Sequence, residues 1–297
     1  MHLMSMMRQI RKAFRMIFHH HNRNLVIAAV GDESQHRRWI EEAKFQNFDL
    51  ALVSFGNIGC RGDALYYMQQ QGYKWGLIGD IFDHFSLDTY DRIWCPDDDI
   101  IVSSETISKM FDFFKNKNLN LAQPSLTIDS HFNYSITRND PECMFRRTNV
   151  VELMCPLFSI DTFLGLKDTF HQTKSMWGYE WVWPSMLEFK GTGIMDEFQV
   201  KQAKPSKEGH LYRKYEKEGV NPYREKKKTL ADNDIKVPSC VVMEHHRKPL
   251  PRPNCCFNNG QKDVADPRLR PTRRSGHCSV ASKHISARLL DPTRAVQ

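Results

Sequence analysis

Over the first 130 residues the apolar positions come in short unbroken runs, separated by polar stretches of helical composition. "NLVIAAVGD" holds six consecutive apolar residues and stops at Gly31 and Asp32, the pattern of a strand buried on both faces. "ESQHRRWIEEAKF" follows as a helical segment, and "FDLALVSFG" is a second buried strand, stopped by Gly56. "DALYYMQQQ" and "GYKWGLIGDIFDHF" read as helical or irregular, and "YDRIWCP" as a third strand. A helix is predicted over "SSETISKMFDFFKNKN", with Ser103 or Ser104 as N-cap and Glu105 in its first turn. "LNLAQPSL" is then a short fourth strand ended by Pro124.

The second half is less regular. "VVELMCPLFS" is a further apolar, strand-like run, "WGYEWVWPSMLEF" starts a helix near Gly178, and "GTGIMDEFQVKQAKP" is a closing strand. A charged region then reads as two helices broken between Gly219 and Pro222. Strands alternating with helices at this spacing predict an α/β domain with a largely parallel sheet, in which ligands bind at the carboxyl ends of the strands. The expected organisation is a basic amphipathic segment over 1–23, the α/β domain over 24–235, and a basic, Pro- and Arg-rich disordered tail over 236–297.

Charge changes this picture only at the tail. The chain carries a net charge of +7, but residues 245–297 hold eleven Lys and Arg against three acids, and the rest of the chain holds 31 against 32. A neutral body argues against nucleic acid as a partner. The N-terminal "MHLMSMMRQIRKAFRMIF" interleaves apolar residues with Arg8, Arg11, Lys12 and Arg15. It has neither a signal-peptide core nor the roughly 20 apolar residues needed to span a bilayer. A cytoplasmic location is the expectation, with peripheral attachment to an anionic membrane through this helix as the sharper alternative. The eight cysteines form no CxxC pair, which argues against a zinc site and a disulfide framework; Cys95 and Cys155 read as buried thiols, and His245 and His246 as surface residues without metal partners.

The chemistry concentrates where the third strand ends, in Asp97, Asp98 and Asp99. Three adjacent carboxylates repel one another and call for solvent, a helix N-terminus or a hard divalent cation such as Mn²⁺ or Mg²⁺. In an extended backbone Asp97 and Asp99 share one side and Asp98 takes the other. That arrangement suits a metal bridge to a nucleotide diphosphate; solvated or helix-capping acids are the alternative. Glu180, behind the turn at Trp177 and Gly178, is a candidate general base among aromatic residues able to stack on sugars. Lys74, Arg138, Arg146 and Arg147 are candidate phosphate contacts, with surface placement as the alternative for each. No P-loop, G-x-S-x-G or GxGxxG motif is present.

Seven blocks occurring in order, from "NLVIAAVGDESQHRRWI" through "YDRIWCPDDDIIV" and "WGYEWVWPSML" to "GIMDEFQVKQAKP", resemble the DUF707 family over residues 24–212. This domain family of unknown function is similar in sheet architecture to GT-A glycosyltransferases. The resemblance implies a GT-A-like α/β fold, a mostly parallel mixed sheet flanked by helices. It places the D-x-D element on Asp97 and Asp99, and an acceptor-side Trp-Gly-x-acid block on Trp177, Gly178 and Glu180. One departure stands out: "VKQAKP" puts Gln202 where the family pattern V-x-H-T-R-P has a His, a third metal ligand in many GT-A enzymes. An amide oxygen is a weaker ligand than imidazole. The expected activity is metal-dependent hexosyl transfer from a nucleotide-diphosphate sugar to a glycan, lipid or small-molecule acceptor, with Asp98 shaping the site or contacting the donor. The rival expectations are a non-catalytic sugar- or nucleotide-binding module and a metal-dependent phosphoester hydrolase.

Overall fold

The computed structural model describes residues 22–41, 45–205, 210–236 and 239–249. The expected N-terminal amphipathic helix and the tail beyond residue 249 therefore lie outside the described residues. Among the described residues no helix is long and apolar enough to cross a membrane.

The first apolar run forms β1 (Asn24–Val30), buried at every position. The reason is that both of its faces are covered. Val26, Ala28 and Val30 enter one hydrophobic cluster and Leu25, Ile27 and Ala29 another, so alternate side chains feed two cores on opposite sides of the sheet. Strand β2 (Asp49–Ser54) pairs parallel to β1, β3 (Tyr66–Gln69) parallel to β2, and β4 (Arg92–Trp94) parallel to β1 on its other side. Beyond β4 come the short β5 (Ile100–Ile101), β6 (Leu121–Leu126), β7 (Cys143–Thr148), β8 (Leu157–Ser159), β9 (Thr192–Gln202) and β10 (Val242–Arg247). The sheet order is β10-β7-β9-β6-β8-β4-β1-β2-β3, with β5 joined to β9. Tracing the pairings along that path, only β7 and β8 run against the common direction. The mostly parallel mixed sheet flanked by helices, expected from the sequence, is the architecture observed.

Helix α1 (Lys74–Asp80) supplies Trp75, Leu77 and Ile78 to the second core. Helix α2 (Ser104–Asn116) supplies Ile107, Met110, Phe111 and Phe114 to the first, an i, i+3, i+4, i+7 stripe. The Ser103 side chain accepts a hydrogen bond from the Thr106 N–H, a cap worth about 1 kcal/mol. Helices α3 (Ile160–Leu166) and α4 (Tyr179–Met186) cover the second core, and α5 (His210–Lys217) and α6 (Pro222–Asp232) are the expected charged pair.

Five segments depart from the sequence reading. Residues 66–69 form a strand rather than a helical or irregular segment, a half-buried edge whose pairing with β2 outweighs a polar composition. Residues 36–39 form a single 3₁₀ turn. β6 runs through Pro124 to Leu126, because the register with β9 jumps between Pro124 and Ser125, where the missing N–H is tolerated. The run "VVELMCPLFS" is a strand only over Leu157–Ser159. Its earlier part is a buried loop that satisfies its polar backbone on neighbours, the Met154 carbonyl accepting from the Asp97 N–H and the Pro156 carbonyl from the Cys95 N–H. Finally, the sheet passes the boundary expected at 235. β10 has no buried residue, only the short apolar run over 240–243 announces it, and it is held by its ladder with β7.

Candidate functional site

Strands β1, β2 and β4 end side by side, and their carboxyl ends open into a cleft of about 800 Å³. Gly31, Asp32, Phe55 and Gly56 line it after β1 and β2, and Asp97, Asp98 and Asp99 after β4. The backbone does not stay extended through the aspartates. The Ile100 N–H donates to the Asp97 carbonyl, closing a turn, and all three acids line the cleft. The expected placement of Asp98 on the opposite side is therefore corrected: alternation holds only while the chain is a strand. The turn is pinned from three directions, by the Gln35 N–H on the Asp98 carbonyl, the Asp97 N–H on the Met154 carbonyl and the Ala203 N–H on the Asp99 carbonyl.

Each carboxylate has one oxygen engaged. Asp97 Oδ1 accepts from Lys74 Nζ at 2.6 Å, Asp98 Oδ2 from the Gly31 N–H at 2.8 Å, and Asp99 Oδ2 from the Lys204 N–H at 3.2 Å. Gly31 lets the Phe55 ring approach closely, since a Cβ there would lie 2.8 Å from it and the ring would have to shift. Burial, reinforced by the charges of Asp97 and Asp98, pushes Asp99 up to about 7, and burial also raises Asp98. Beside them Gln202 lines the cleft from the end of β9, and its Oε1 is buried without a hydrogen-bond partner. Lys74 spends its ammonium on Asp97 and on the Leu153 and Met154 carbonyls at 2.8 and 3.0 Å. All three of its protons are committed, so it braces the aspartate turn rather than offering a ready phosphate contact.

The far wall holds two more buried acids. Glu180 starts α4 behind Gly178, whose φ of 104° lies in the region that favours glycine. A Cβ on Gly178 would also lie 3.1 Å from the Thr229 side chain, so the turn has little room for any other residue. Glu180 Oε2 accepts from the Gly178 N–H at 2.7 Å and Oε1 from the Tyr134 hydroxyl at 2.8 Å, with Lys226 Nζ 3.8 Å away. Burial raises its proton affinity despite these partners. Glu152, which the sequence reading missed, is only 4% exposed and pushed up to about 7, chiefly by burial, with Glu180 and Asp97 adding to it. Its Oε1 accepts from Asn133 Nδ2 at 2.7 Å, while Oε2 is buried without a partner. A lone acid inside the apolar run "VVELMCP" was the signal available. Trp177 lines the cleft against Tyr223, 5.2 Å between ring centroids, and Tyr73 stacks on Tyr215 at 5.3 Å. Lys226 lies 4.3 Å from the Trp181 ring centroid.

The three arginines are elsewhere. Arg146 is buried and holds Asp196 through Nε and Nη2, both at 2.8 Å. Its remaining bonds go to the Ile136 and Arg138 carbonyls. Arg147 pairs with Glu244 across the β7–β10 edge, and Arg138 lies over the Phe132 ring. None of them lines the cleft. Their closeness in a short stretch of sequence suggests a phosphate grip; β7 instead sends Arg147 to the sheet edge and Arg146 to an internal acid, and Arg138, before β7, packs on Phe132. The reading of His245 as unpartnered is corrected as well, for it lies beside Cys143 and Asp140. Cys95 and Cys155 are buried free thiols, as expected.

No protein-family model matches the chain, and no curated protein matches it. Solved structures of similar fold include TarS of S. aureus, at 10% identity and a TM-score of 0.42 over 60% of this chain. The chain spans about a third (36%) of that TarS chain. TarS residues 1–349 in complex with UDP-GlcNAc are 12% identical, with 72% of this chain and 68% of that one covered and a TM-score of 0.45. A Desulfovibrio desulfuricans G20 protein described as a nucleotide-diphospho-sugar transferase is 12% identical, with 71% and 98% covered and a TM-score of 0.37. These superpositions are loose, and the fold class rests on the strand order and directions given above.

Proposed function

We propose that the cleft binds a nucleotide-diphosphate sugar with Mn²⁺ or Mg²⁺ and passes its glycosyl group to an acceptor hydroxyl. The observation that carries this reading is the convergence of Asp97, Asp98, Asp99 and the partnerless Gln202 oxygen on one cleft at the carboxyl ends of parallel strands. The donor set fits a hard divalent ion. It is all oxygen, each aspartate keeps a carboxylate oxygen free of the bonds described above, and a cation would offset three crowded like charges. Asp97, Asp99 and Gln202 would hold the ion, which when bound supplies charge neutralisation at the leaving diphosphate. Asp98, anchored on Gly31, shapes the floor, and Trp177 lines the cleft as an aromatic surface for a sugar or base. Of the two buried acids, Glu152 keeps an unclaimed oxygen and a proton affinity near neutrality, which suits proton uptake from the acceptor. Glu180, with both oxygens accepting hydrogen bonds, orients Tyr134 and the Gly178 turn.

Calorimetry of UDP and GDP with and without Mn²⁺ tests the reading. Mn²⁺ is expected to tighten binding of one of them at least tenfold in the wild type, and Asp99→Asn is expected to abolish that gain. Binding that ignores the metal in both proteins overturns the metal bridge. One observation favours a second reading, a metal-free, non-catalytic nucleotide-binding module. Lys74 already sits on Asp97 where a cation would, at 2.6 Å. Metal-independent binding without any donor turnover selects that reading.

A further inference from the structure

Outside the cleft, Asp140, Cys143 and His245 bring a carboxylate oxygen, a thiol sulfur and a ring nitrogen within 4.8 Å of one another. We propose that this cluster is a Zn²⁺ site that fastens β10 to the rest of the sheet.

The geometry comes first. Cys143 Sγ lies 3.3 Å from Asp140 Oδ2 and 3.5 Å from His245 Nδ1, and Asp140 Oδ2 lies 3.9 Å from the same nitrogen. A point equidistant from the three atoms is about 2.1 Å from each, matching zinc bonds of about 2.0–2.3 Å to oxygen, nitrogen and sulfur. Tetrahedral zinc with such bonds has ligand–ligand edges of roughly 3.3–3.6 Å; the two edges from Cys143 fall in that range, and the Asp140–His245 edge, at 3.9 Å, would have to close by a few tenths of an ångström on binding. Thiolate and imidazole select zinc over Mg²⁺ or Mn²⁺, so this site and the all-oxygen cleft call for different ions. Cys143 is buried whereas His245 is exposed, leaving the fourth position toward solvent for water.

The backbone is arranged to make the cluster. Along β7 and β10, His245 pairs with Arg146, and regular alternation would send Cys143 to the opposite face of the sheet. The register instead shifts between His246 and Arg247, so that Arg247 faces Cys143 and the thiol returns to the histidine's side. Asp140 is held in place from behind. Its N–H donates to Asp196 Oδ1 at 2.9 Å, and its Oδ1 accepts from the Glu142 N–H, leaving Oδ2 toward Cys143 and His245.

A clamp also answers a need of the fold. β10 has no buried residue, and its side-chain partners across the edge are one ring contact, His246 on Phe145, and exposed ion pairs from Arg147 to Glu244 and from Arg247 to Glu142. Such pairs contribute about 1 kcal/mol or less each. A cation bridging residue 245 to residues 140 and 143 would tie the strand across about a hundred residues of chain.

The test uses the full chain. Zn²⁺ affinity is read by competition with a chromophoric chelator, and hydrogen exchange is followed in a peptide covering 242–247. That local readout separates the site from the histidines at 19–21 and from Cys255, Cys256 and Cys278. At Zn²⁺ one hundred times the measured Kd, exchange through detachment of β10 is expected to slow about 100-fold. The slowing is expected to vanish in Cys143→Ser and in His245→Ala, and Mg²⁺ is expected to have no effect on the wild type. Far-UV circular dichroism confirms that the variants fold, and Asp140→Asn replaces either one that does not. Absence of zinc binding, unchanged exchange over 242–247 in the wild type, or equal slowing in the variants overturns the proposal.

Discussion

Replacing Glu152 by Gln isolates the electrostatic cost of the cleft. The side chain is buried, one of its oxygens has no partner, and its proton affinity rises from the ordinary 4.5 to about 7. A folded-state value above the unfolded one means that the native protein holds the proton more tightly. The contribution of this group to stability is therefore fully present below pH 4.5 and lost as pH rises through 7. Taken alone, the difference corresponds to at most about 3 kcal/mol between those limits. Gln has the same shape and no proton to lose, so Glu152→Gln removes this loss and carries only a pH-independent offset. Urea unfolding at pH 5 and pH 8, with EDTA present, reads the effect. With an m-value of about 3 kcal/mol/M, the fall in midpoint between the two pH values is expected to be about 1 M smaller in the variant. Equal falls in both proteins would show that Glu152 is not held protonated by burial, and would remove its case as the proton acceptor.

Two further substitutions probe what holds the site in place. Gly193→Ala would put a Cβ 2.0 Å from the Arg146 carbonyl oxygen, where β7 and β9 pair. A loss of at least about 3 kcal/mol in urea unfolding is expected, since backbone rather than a movable side chain is in the way. Arg146→Ala strands Asp196, which is 1% exposed, as a buried charge without its two-bond partner. A destabilisation of about 3–5 kcal/mol is expected by the same measurement, whereas a loss below 1 kcal/mol would show that the pair is not buried as described.

How much of this was legible in the sequence differs from one residue to the next. Asp97, Asp98 and Asp99 were visible as a candidate site because three like charges behind an apolar strand need compensation wherever they fall. Gln202 was visible through its place in a pattern of sequence blocks, and Glu180 through its turn at Gly178. The partners of these groups were not visible. Lys74 reads as a phosphate contact or a surface lysine until α1 places it against the aspartate turn, 23 positions further along the chain. Arg146 reads as a phosphate contact until β9 brings Asp196 to it from 50 positions away. Glu152 is a single acid in an apolar run, and only the buried loop between β7 and β8 turns it toward the cleft.

The sequence by itself determined the elements whose signal is local. Buried strands β1, β2 and β4 declare themselves by uninterrupted apolar runs, α2 by its cap and its stripe, and the break between α5 and α6 by Gly219 and Pro222. These follow from side-chain burial and backbone preference over a few residues, which a short window contains. The tertiary structure decided everything that depends on pairing across long separations. It made β10 a strand although none of its residues is fully buried, and it turned the aspartates so that all three line one cleft. It also set His245 against Cys143, 102 positions away, by a register shift no spacing rule encodes. The physical reason is the same in each case: ladder bonds and ion pairs are satisfied by whichever partner the completed sheet delivers, and a linear pattern does not carry that partner's identity.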